Sequence, residues 1–484
     1  MASEIFNKLS ERAALCASRL KTANSVHLVS HIDADGITSA AIMGLSFERA
    51  GIHYTAEYVK KLDEKIMTRL LEENHELLVF TDLGSAMVDF MVDNEMEAII
   101  ADHHQPTGRP ENIAPDSKTF PYHINPHLYG ANGGFEISGS GVSYILANAL
   151  GDNRDLSGLA IVGAIGDMQN RKYGKLVGLN KEILEQGVQA GVLMNAPDLS
   201  LFGKQTRPIY KMLQYSSEPY LPGLTGEEEA CIRFLQSAGV GYDQREGAKL
   251  WIELSKEERV KVISVLMKFC QDRGFPTRRV EELISECYTL QAEKEGSEMR
   301  DASEFSTLLN ATGRYDKAEI GVRVCMGDRG EALGEARTLL SEHRKNLVNG
   351  LNFVKENGVT QLEYIQYFYS GEEIKETIVG IIAGMATSLD GVDRKKPIIG
   401  MADSEDGIKI SSRGTQDLIR RGLNLSNAMN DVTEMVGGSG GGHDIAAGGT
   451  VPPERALEFV DLLDKYIGEQ LSAERSNKLK RRMK

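Results

Sequence analysis

VHLVSHIDADGITSA, residues 26–40, decides how this chain is read. VHLVS has the apolar, β-branched character of a short strand, and directly after it His31, Asp33 and Asp35 fall at alternate positions. If the backbone stays extended there, the period of two turns all three side chains the same way. Two carboxylates and an imidazole gathered on one side repel and desolvate one another unless a cation sits among them, so a divalent metal is expected. A solvated Asp-rich turn is the other reading. Gly36 and Thr38 then fit a strand turning into a helix, whose amino terminus favours an anion.

Three further segments share this design. LLVFT leads to Asp82, EAIIA leads to Asp102, His103 and His104, and AIVGAIG leads to Asp167. Short apolar runs alternating with helix-like stretches from residue 26 to about 170 predict a parallel sheet with crossover helices, and functional residues gather at the carboxyl ends of such strands. One acidic strand end is an ordinary loop cap. Four of them, with three histidines, exceed what caps require. Oxygen and imidazole donors without cysteine suit manganese, magnesium or cobalt better than structural zinc. The number of donors suits two ions about 4 Å apart, clamping the attacking and leaving oxygens of a phosphodiester.

The bulk properties agree with an enzyme. At 484 residues, 41% hydrophobic and 26% charged, the chain is a folded protein of two or three domains. A formal charge of −15 disfavours tight non-specific binding to duplex DNA, yet a carboxylate cluster that holds metals contributes to that total. Basic stretches fall late: Arg394, Lys395 and Lys396, then Arg413, Arg420 and Arg421, then the terminal KLKRRMK. The amino terminus has helical spacing and no apolar core of a signal peptide, and no eighteen-residue apolar run occurs, so a cytoplasmic protein without a membrane partner is expected. Cys16, Cys231, Cys270, Cys287 and Cys325 are scattered, which predicts buried thiols rather than disulfides.

The remaining organisation is expected as follows. Residues 1–194 form the parallel-sheet domain, and residues 195–300 form a helical insertion, with capping boxes at Thr225 to Glu228 and Ser255 to Glu258. Residues 301–358 connect the lobes and include the long helix GEALGEARTLLSEHRKNLVNGLNFVKEN. Residues 359–472 form a smaller α/β lobe, with LEYIQYF, PIIGMAD and GIKISSR as strands around the helix ETIVGIIAGMAT, and residues 473–484 form a basic tail.

The order His-x-Asp-x-Asp, Asp-Leu-Gly, Asp-His-His, Gly-Asp resembles the four motifs of the DHH phosphoesterases, over about residues 20–190. The resemblance implies that His31 and Asp33 hold one metal, Asp35, His103 and Asp167 the other, and Asp82 bridges them. It also implies that Asp102 braces the site, that His104 faces the scissile phosphate, and that the nucleophile is water activated by the ions. VGGSGGGHDIAAGG resembles the Gly-Gly-Gly-His motif of the DHHA1 substrate-binding domain, which makes Gly440, Gly441, Gly442 and His443, with Ser412 and Arg413, the expected phosphate contacts. A flexible glycine loop is the alternative. LLNATGRYDKAEIGV, with Asn310, Gly313 and Arg314, resembles a stretch that RecJ-type nucleases carry between lobes; an ordinary helix end is the other reading. The helical insertion is similar to that of archaeal RecJ-like nucleases and the replicative-helicase cofactor of eukaryotes. By that likeness the expected activity is exonucleolytic hydrolysis of single-stranded DNA or RNA to mononucleotides, in replication or repair, with a GINS-type complex as a protein partner. A phosphodiesterase of short oligonucleotides or cyclic dinucleotides, and a scaffold that has lost catalysis, are the competing functions.

Overall fold

In a computed structural model, residues 2–482 are described except 217, 218, 241 and 244–246. Contacts divide the chain into two compact units, Met1–Leu340 and Ser341–Lys484.

The first unit is built on a five-stranded sheet of order β2-β1-β3-β4-β5, parallel throughout: β1 Val26–His31, β2 Tyr54–Val59, β3 Leu78–Thr81, β4 Ala98–Ala101 and β5 His123–Ile124. LVFT and AIIA are buried at every position because helices cover both faces, while the edge strand YTAEYV is half exposed. Alternation sorts the side chains. Leu28, Val79 and Ile99 join the core under α1 (Ala2–Leu20), α2 (Ala34–Ala50), α5 (Gly139–Leu150) and α6 (Ser157–Gly166). Val29, Leu78, Phe80 and Ile100 face the opposite core, under α3 (Glu64–Glu73) and α4 (Val88–Asp93). Asp33 caps α2 by accepting from the Gly36 N–H, and Gly51 closes that helix in the left-handed region, φ 71°.

One expected strand is a helix. AIVGAIG lies within α6, between α2, α5 and α7 (Gly178–Gln189). A helix covered on all sides is apolar on all sides, so its sequence lacks the 3.6 period and reads like a buried strand.

The insertion is not purely helical. It enters on β6 (Leu193–Leu199) and leaves on β9 (Ile284–Leu290), which pair antiparallel. Between them lie α8 (Ile209–Gln214), α9 (Glu228–Ala238), the short pair β7 (Tyr242–Asp243) and β8 (Gly247–Ala248), α10 (Lys256–Asp272) and α11 (Thr277–Glu281), around a core that includes Trp251 and Leu266. Ser255 and Glu258 form the expected capping box on α10. Thr225 and Glu228 do not cap α9: the Thr225 hydroxyl donates to the Ser216 carbonyl and accepts from the Leu221 N–H, so it is committed to the preceding turn.

α12 (Ala302–Arg314) and α13 (Ala318–Cys325) return to the first unit and pack on α2 and α6, burying Phe305, Leu308 and Val324 in the sheet core. The segment expected to connect the lobes is thus partly core of the first. The expected long helix is α14 (Glu331–Asn357).

The second unit carries a six-stranded sheet of order β10-β11-β12-β13-β15-β14: β10 Thr360–Gln361, β11 Gln366–Tyr369, β12 Ile398–Ser404, β13 Gly407–Arg413, β14 Ser439–Gly442 and β15 Ala446–Val451. LEYIQYF is extended and paired only from Gln366 on. The sheet is covered by α15 (Val379–Ala386), α17 (Leu425–Met435) and α18 (Ala456–Arg482), with α16 (Gln416–Arg420) after β13. The closing helix runs on to Arg482, through most of the expected tail; Met483 and Lys484 lie outside the described residues. The five cysteines form no disulfide, and all but the half-buried Cys287 are buried. Among the described residues no helix is long and apolar enough to cross a membrane.

Candidate metal centre

The centre grows from the end of β1. The strand ends at His31, and the chain enters α2 at Ala34, so the assumed extended run stops halfway through His31, Asp33 and Asp35. His31 Nδ1 lies 3.1 Å from Asp33 Oδ1 and 3.6 Å from Asp82 Oδ2. Asp35, in the first turn of α2, turns to a second group: its Oδ2 is 3.8 Å from His103 Nε2. Backbone N–H groups opening α5 hold it there, Gly139 at 2.7 Å and Ser140 at 2.9 Å.

Asp82 joins the two groups. It follows β3 in the left-handed region, φ 59°, where a non-glycine residue costs of order 1–2 kcal/mol. Its side chain is 2% exposed, and Oδ1 sits 3.2 Å from His103 Nε2 without a hydrogen-bond partner. A buried carboxylate oxygen left without a donor costs a large desolvation energy, which a cation would offset.

β4 delivers Asp102, His103 and His104. Asp102 lies close enough to Asp82, His103 and His104 to share a cluster with them, but both its oxygens are occupied: it accepts from the backbone N–H of Ser85, His103 and His104, and from His104 Nδ1 at 2.8 Å. His103 Nδ1 donates to the Gly133 carbonyl at 2.7 Å, which directs Nε2 at Asp82 and Asp35. His104 is mostly exposed beside it, 59% by side chain. Asp167, at the carboxyl end of α6, lies 3.8 Å from His103 through Oδ2 and accepts from Gln169 Nε2.

The structure therefore gathers every expected ligand: His31, Asp33 and Asp82 in one group, Asp35, His103 and Asp167 in the other. It also adds residues that no motif announced. Gln169 donates to both Asp167 and the Gly133 carbonyl, and is itself held by Asn180. Behind Asp102 stands a buried chain in which Asn125 donates to Ser85 Oγ, which meets His123 Nε2 at 2.9 Å. Nothing in the spacing of these residues marks them.

The Asn-Ala-x-Gly-Arg segment docks onto this centre. Asn310 Oδ1 accepts from the Ala34 N–H at 2.9 Å, at the entry to α2. A Cβ on Gly313 would meet the Ile32 carbonyl oxygen at 1.7 Å, so only glycine lets α12 approach. Arg314 is buried close enough to Asp33 that the two charges interact; burial depresses the guanidinium and Asp33 opposes that.

The electrostatics are those of a site that favours cations. Burial, and then the charge of Asp82, push the Asp35 carboxyl well above the usual range. Burial also raises Asp167, against the pull of His103. Burial would depress His31 and His103, but Asp33 for the first, and Asp82 with Asp167 for the second, hold both imidazoles well above their ordinary range. His104 is raised to about 9, the Asp102 bond outweighing its burial. Carboxyls pushed up beside imidazoles that are also pushed up mark too much negative charge in too little volume. The donors are carboxylate oxygens and imidazole nitrogens, which fits divalent ions of the Mg²⁺ and Mn²⁺ kind.

In the second unit the glycine run is a strand rather than a loop. Gly440 and Gly442 have packing reasons of their own: a Cβ on Gly440 would meet Thr433 Oγ1 at 2.8 Å, and one on Gly442 would meet Ala447 Cα at 2.6 Å. Gly441 is less crowded, 3.2 Å from Asn430 Oδ1. Register puts Gly442 opposite Ala447, and Ala447 opposite Ser412, so the glycines, Arg413 and the exposed His443 share one end of the sheet. Ser412 does not join them as a contact, because it is buried and its hydroxyl donates to the Ala447 carbonyl.

The family model for the DHH family, N-terminal domain, matches residues 25–165, that for the DHH-CID domain residues 201–284, and that for the DHHA1 domain residues 363–469. An uncharacterised protein of Methanocaldococcus jannaschii is 33% identical over 453 residues, 92% of this chain and 94% of that one. The single-stranded-DNA-specific exonuclease RecJ of Thermus thermophilus is 28% identical over 203 residues, 37% of this chain and 27% of that one. The crystal structure of that RecJ with Mn²⁺ matches with a TM-score of 0.55 at 18% identity, over 96% of this chain, which spans 55% of its length. CDC45 from Entamoeba histolytica matches with a TM-score of 0.64 at 13% identity, over 96% of this chain and 99% of that one.

Proposed function

Because the chain belongs to the DHH family, we propose that it is a two-metal exonuclease that hydrolyses single-stranded DNA or RNA to mononucleotides. The observation that carries this reading is the buried, donor-less Asp82 oxygen between two groups of oxygen and nitrogen ligands. In the proposal His31 and Asp33 hold one ion, Asp35, His103 and Asp167 the other, and Asp82 both. Bound there, the ions supply Lewis acidity and make water nucleophilic at neutral pH; Mn²⁺ is the first choice, then Mg²⁺ or Co²⁺.

The protein's own groups do the rest. Gly133 fixes the tautomer of His103, so that Nε2 is free of a proton when a ligand is needed. Asp102 locks both histidines through three N–H bonds and leaves His104 at the surface, where its imidazolium meets a phosphate oxygen of the substrate. Arg413, the Gly440–Gly442 strand and His443 grip the nucleic-acid backbone, and the insertion is the surface for a replication-complex partner such as GINS.

The fold likeness to CDC45 supports a second reading, a scaffold without catalysis. That all six expected ligands come together favours the enzyme. Digestion of single-stranded DNA and RNA, labelled at either end, with Mn²⁺ or Mg²⁺ and a chelator control, decides between them. Early release of a labelled mononucleotide is expected. Cleavage of dinucleotides but not long strands would indicate a small-substrate phosphodiesterase, and absence of both cleavage and metal binding would leave the scaffold.

A further inference from the structure

Directly after Asp167 the chain makes a turn whose residues 171–175 read RKYGK. In a protein of net charge −15 this places three cations and an aromatic ring within five residues of one another. Arg171, Lys172, Tyr173 and Lys175 are all exposed, and Tyr173 is 50% accessible. A large aromatic surface left in solvent, ringed by cations, is unexplained by packing.

The turn is also fixed in place. Glu286 N, on β9, donates to the Gly174 carbonyl at 2.9 Å, and the Tyr288 hydroxyl accepts from Leu176 N at 2.7 Å. On its other side runs the segment 132–136, tied to it at both ends: Gln169 Nε2 donates to the Gly133 carbonyl, and Asn180 N donates to the Glu136 carbonyl. Between those ties Phe135 meets Tyr173 edge to face, with ring centroids 5.9 Å apart. Lys172 rests its ammonium over Phe135 at 3.6 Å and beside Tyr173 at 5.1 Å. The platform is next to the metal centre by construction, since Gly133 also accepts from His103, and Gln169 also donates to Asp167.

An aromatic face on a tethered turn, with an ammonium resting against it, offers what a nucleotide needs: a π surface for the base and a cation for a phosphate. We propose that Tyr173, backed by Phe135, stacks the base of the nucleotide that adjoins the scissile phosphodiester, while Lys172 leaves the rings to pair with a backbone phosphate. Stacking of this kind tolerates any base, because every base has a π face. It grips a strand end without reading sequence. The inference rests on the phosphodiesterase reading and adds to it a determinant of which end groups are accepted.

The test compares a single-stranded 12-mer bearing ordinary bases with the same strand carrying abasic sugars at both terminal nucleotides, in the full-length protein with Mn²⁺. Wild type is expected to show a KM lower for the base-bearing strand by on the order of 5- to 100-fold. Tyr173→Ala should raise that KM to the abasic value, leave kcat on the abasic strand unchanged, and keep the wild-type melting temperature. Tyr173→Phe should restore the preference, which a merely structural role of the hydroxyl would not. Lys172→Ala should lower the slope of log KM against log salt by about 0.7, the contribution of one phosphate contact on a single strand. Equal KM values for the two strands in wild type, or a preference that survives Tyr173→Ala, would overturn the platform while leaving the nuclease intact. Cleavage of neither strand by wild type would remove the phosphodiesterase reading, and the platform with it.

Discussion

Replacing Asp82 by Asn tests the centre most directly, because asparagine keeps the shape and also tolerates the left-handed backbone at φ 59°. Only the charge is lost. In metal-free protein two effects oppose: Asp82 repels Asp35 and Asp167, and it also helps hold protons on His31 and His103. Like charges about 4 Å apart cost about 4 kcal/mol at an effective dielectric of 20, and opposite charges gain a similar amount. The metal-free variant should therefore stay within about 1.5 kcal/mol of wild type. With metal the balance changes. At a Mn²⁺ concentration of about 100 Kd, wild type gains about 2.7 kcal/mol of stability. Loss of an outer partner of a ligand costs roughly 10- to 100-fold in affinity, and a shared ligand stands at or beyond the upper end. A 100-fold loss leaves the variant a gain of about 0.4 kcal/mol at the same Mn²⁺ concentration. Denaturant unfolding with and without Mn²⁺, beside hydrolysis of a labelled strand, reads both quantities. Hydrolysis should fall at least 1000-fold. Turnover within tenfold of wild type, or an undiminished Mn²⁺ effect on stability, would refute the bridging role; a metal-free loss beyond about 3 kcal/mol would show a structural cluster instead.

Three further outcomes are expected. Gly313→Ala forces a methyl group into the Ile32 carbonyl, 1.7 Å away, so α12 must lift from the entry of α2; stability should fall by about 3 kcal/mol or more and Mn²⁺ affinity at least tenfold, both readable from one titration of thermal unfolding. Glu304, buried while it accepts from Gln205 N and Thr206 Oγ1, is raised by burial from 4.5 to about 7, so between those pH values the unfolded chain gives up a proton that the folded one keeps. Stability is lost as pH rises through that window, by about 3 kcal/mol, and Glu304→Gln should abolish this component when unfolding at pH 5 and pH 8 is compared. His443→Ala should raise KM for single strands severalfold with kcat within about twofold of wild type; steady-state kinetics showing a pure turnover defect would place His443 elsewhere than in strand binding.

What the sequence made legible follows from what a short window can encode. β1, β3 and β4 were readable because strands buried on both faces are short, apolar and end in a polar turn, and the candidate ligands sit in or beside those turns. α6 was misread for the same reason: LAIVGAI is apolar all round, and length alone does not separate it from a strand. The assumption of an extended backbone through Asp35 failed at Ala34. Asp35 still comes to lie with His103 and Asp167, reached from the first helical turn. Gln169, Asn180, Gly133, Ser85 and His123 were invisible because they act through single hydrogen bonds between segments that only the fold brings together. Ser412 illustrates the converse. A serine beside an arginine at a strand end reads as a phosphate contact, but its place in the pleat turns the hydroxyl inward to Ala447. Asn310 and Arg314 were singled out as a stretch between lobes, whereas the structure sets them against the first motif.

That last arrangement bears on how the protein is made. The Ala34 N–H waits for an acceptor 276 residues downstream, and α2 and α6 wait as long for the helices that cover them. At roughly 5–20 residues per second, translation separates the two ends of this contact by roughly 15–55 s. Throughout that interval the ribosome carries a sheet whose central helix is open along one apolar side. The insertion has time to fold as its own hydrophobic body while the first half stays unfinished. Cellular demand for chaperones should therefore peak before α12 emerges, and a nascent chain should be unable to seal its candidate metal centre until nearly two thirds of it has been synthesised.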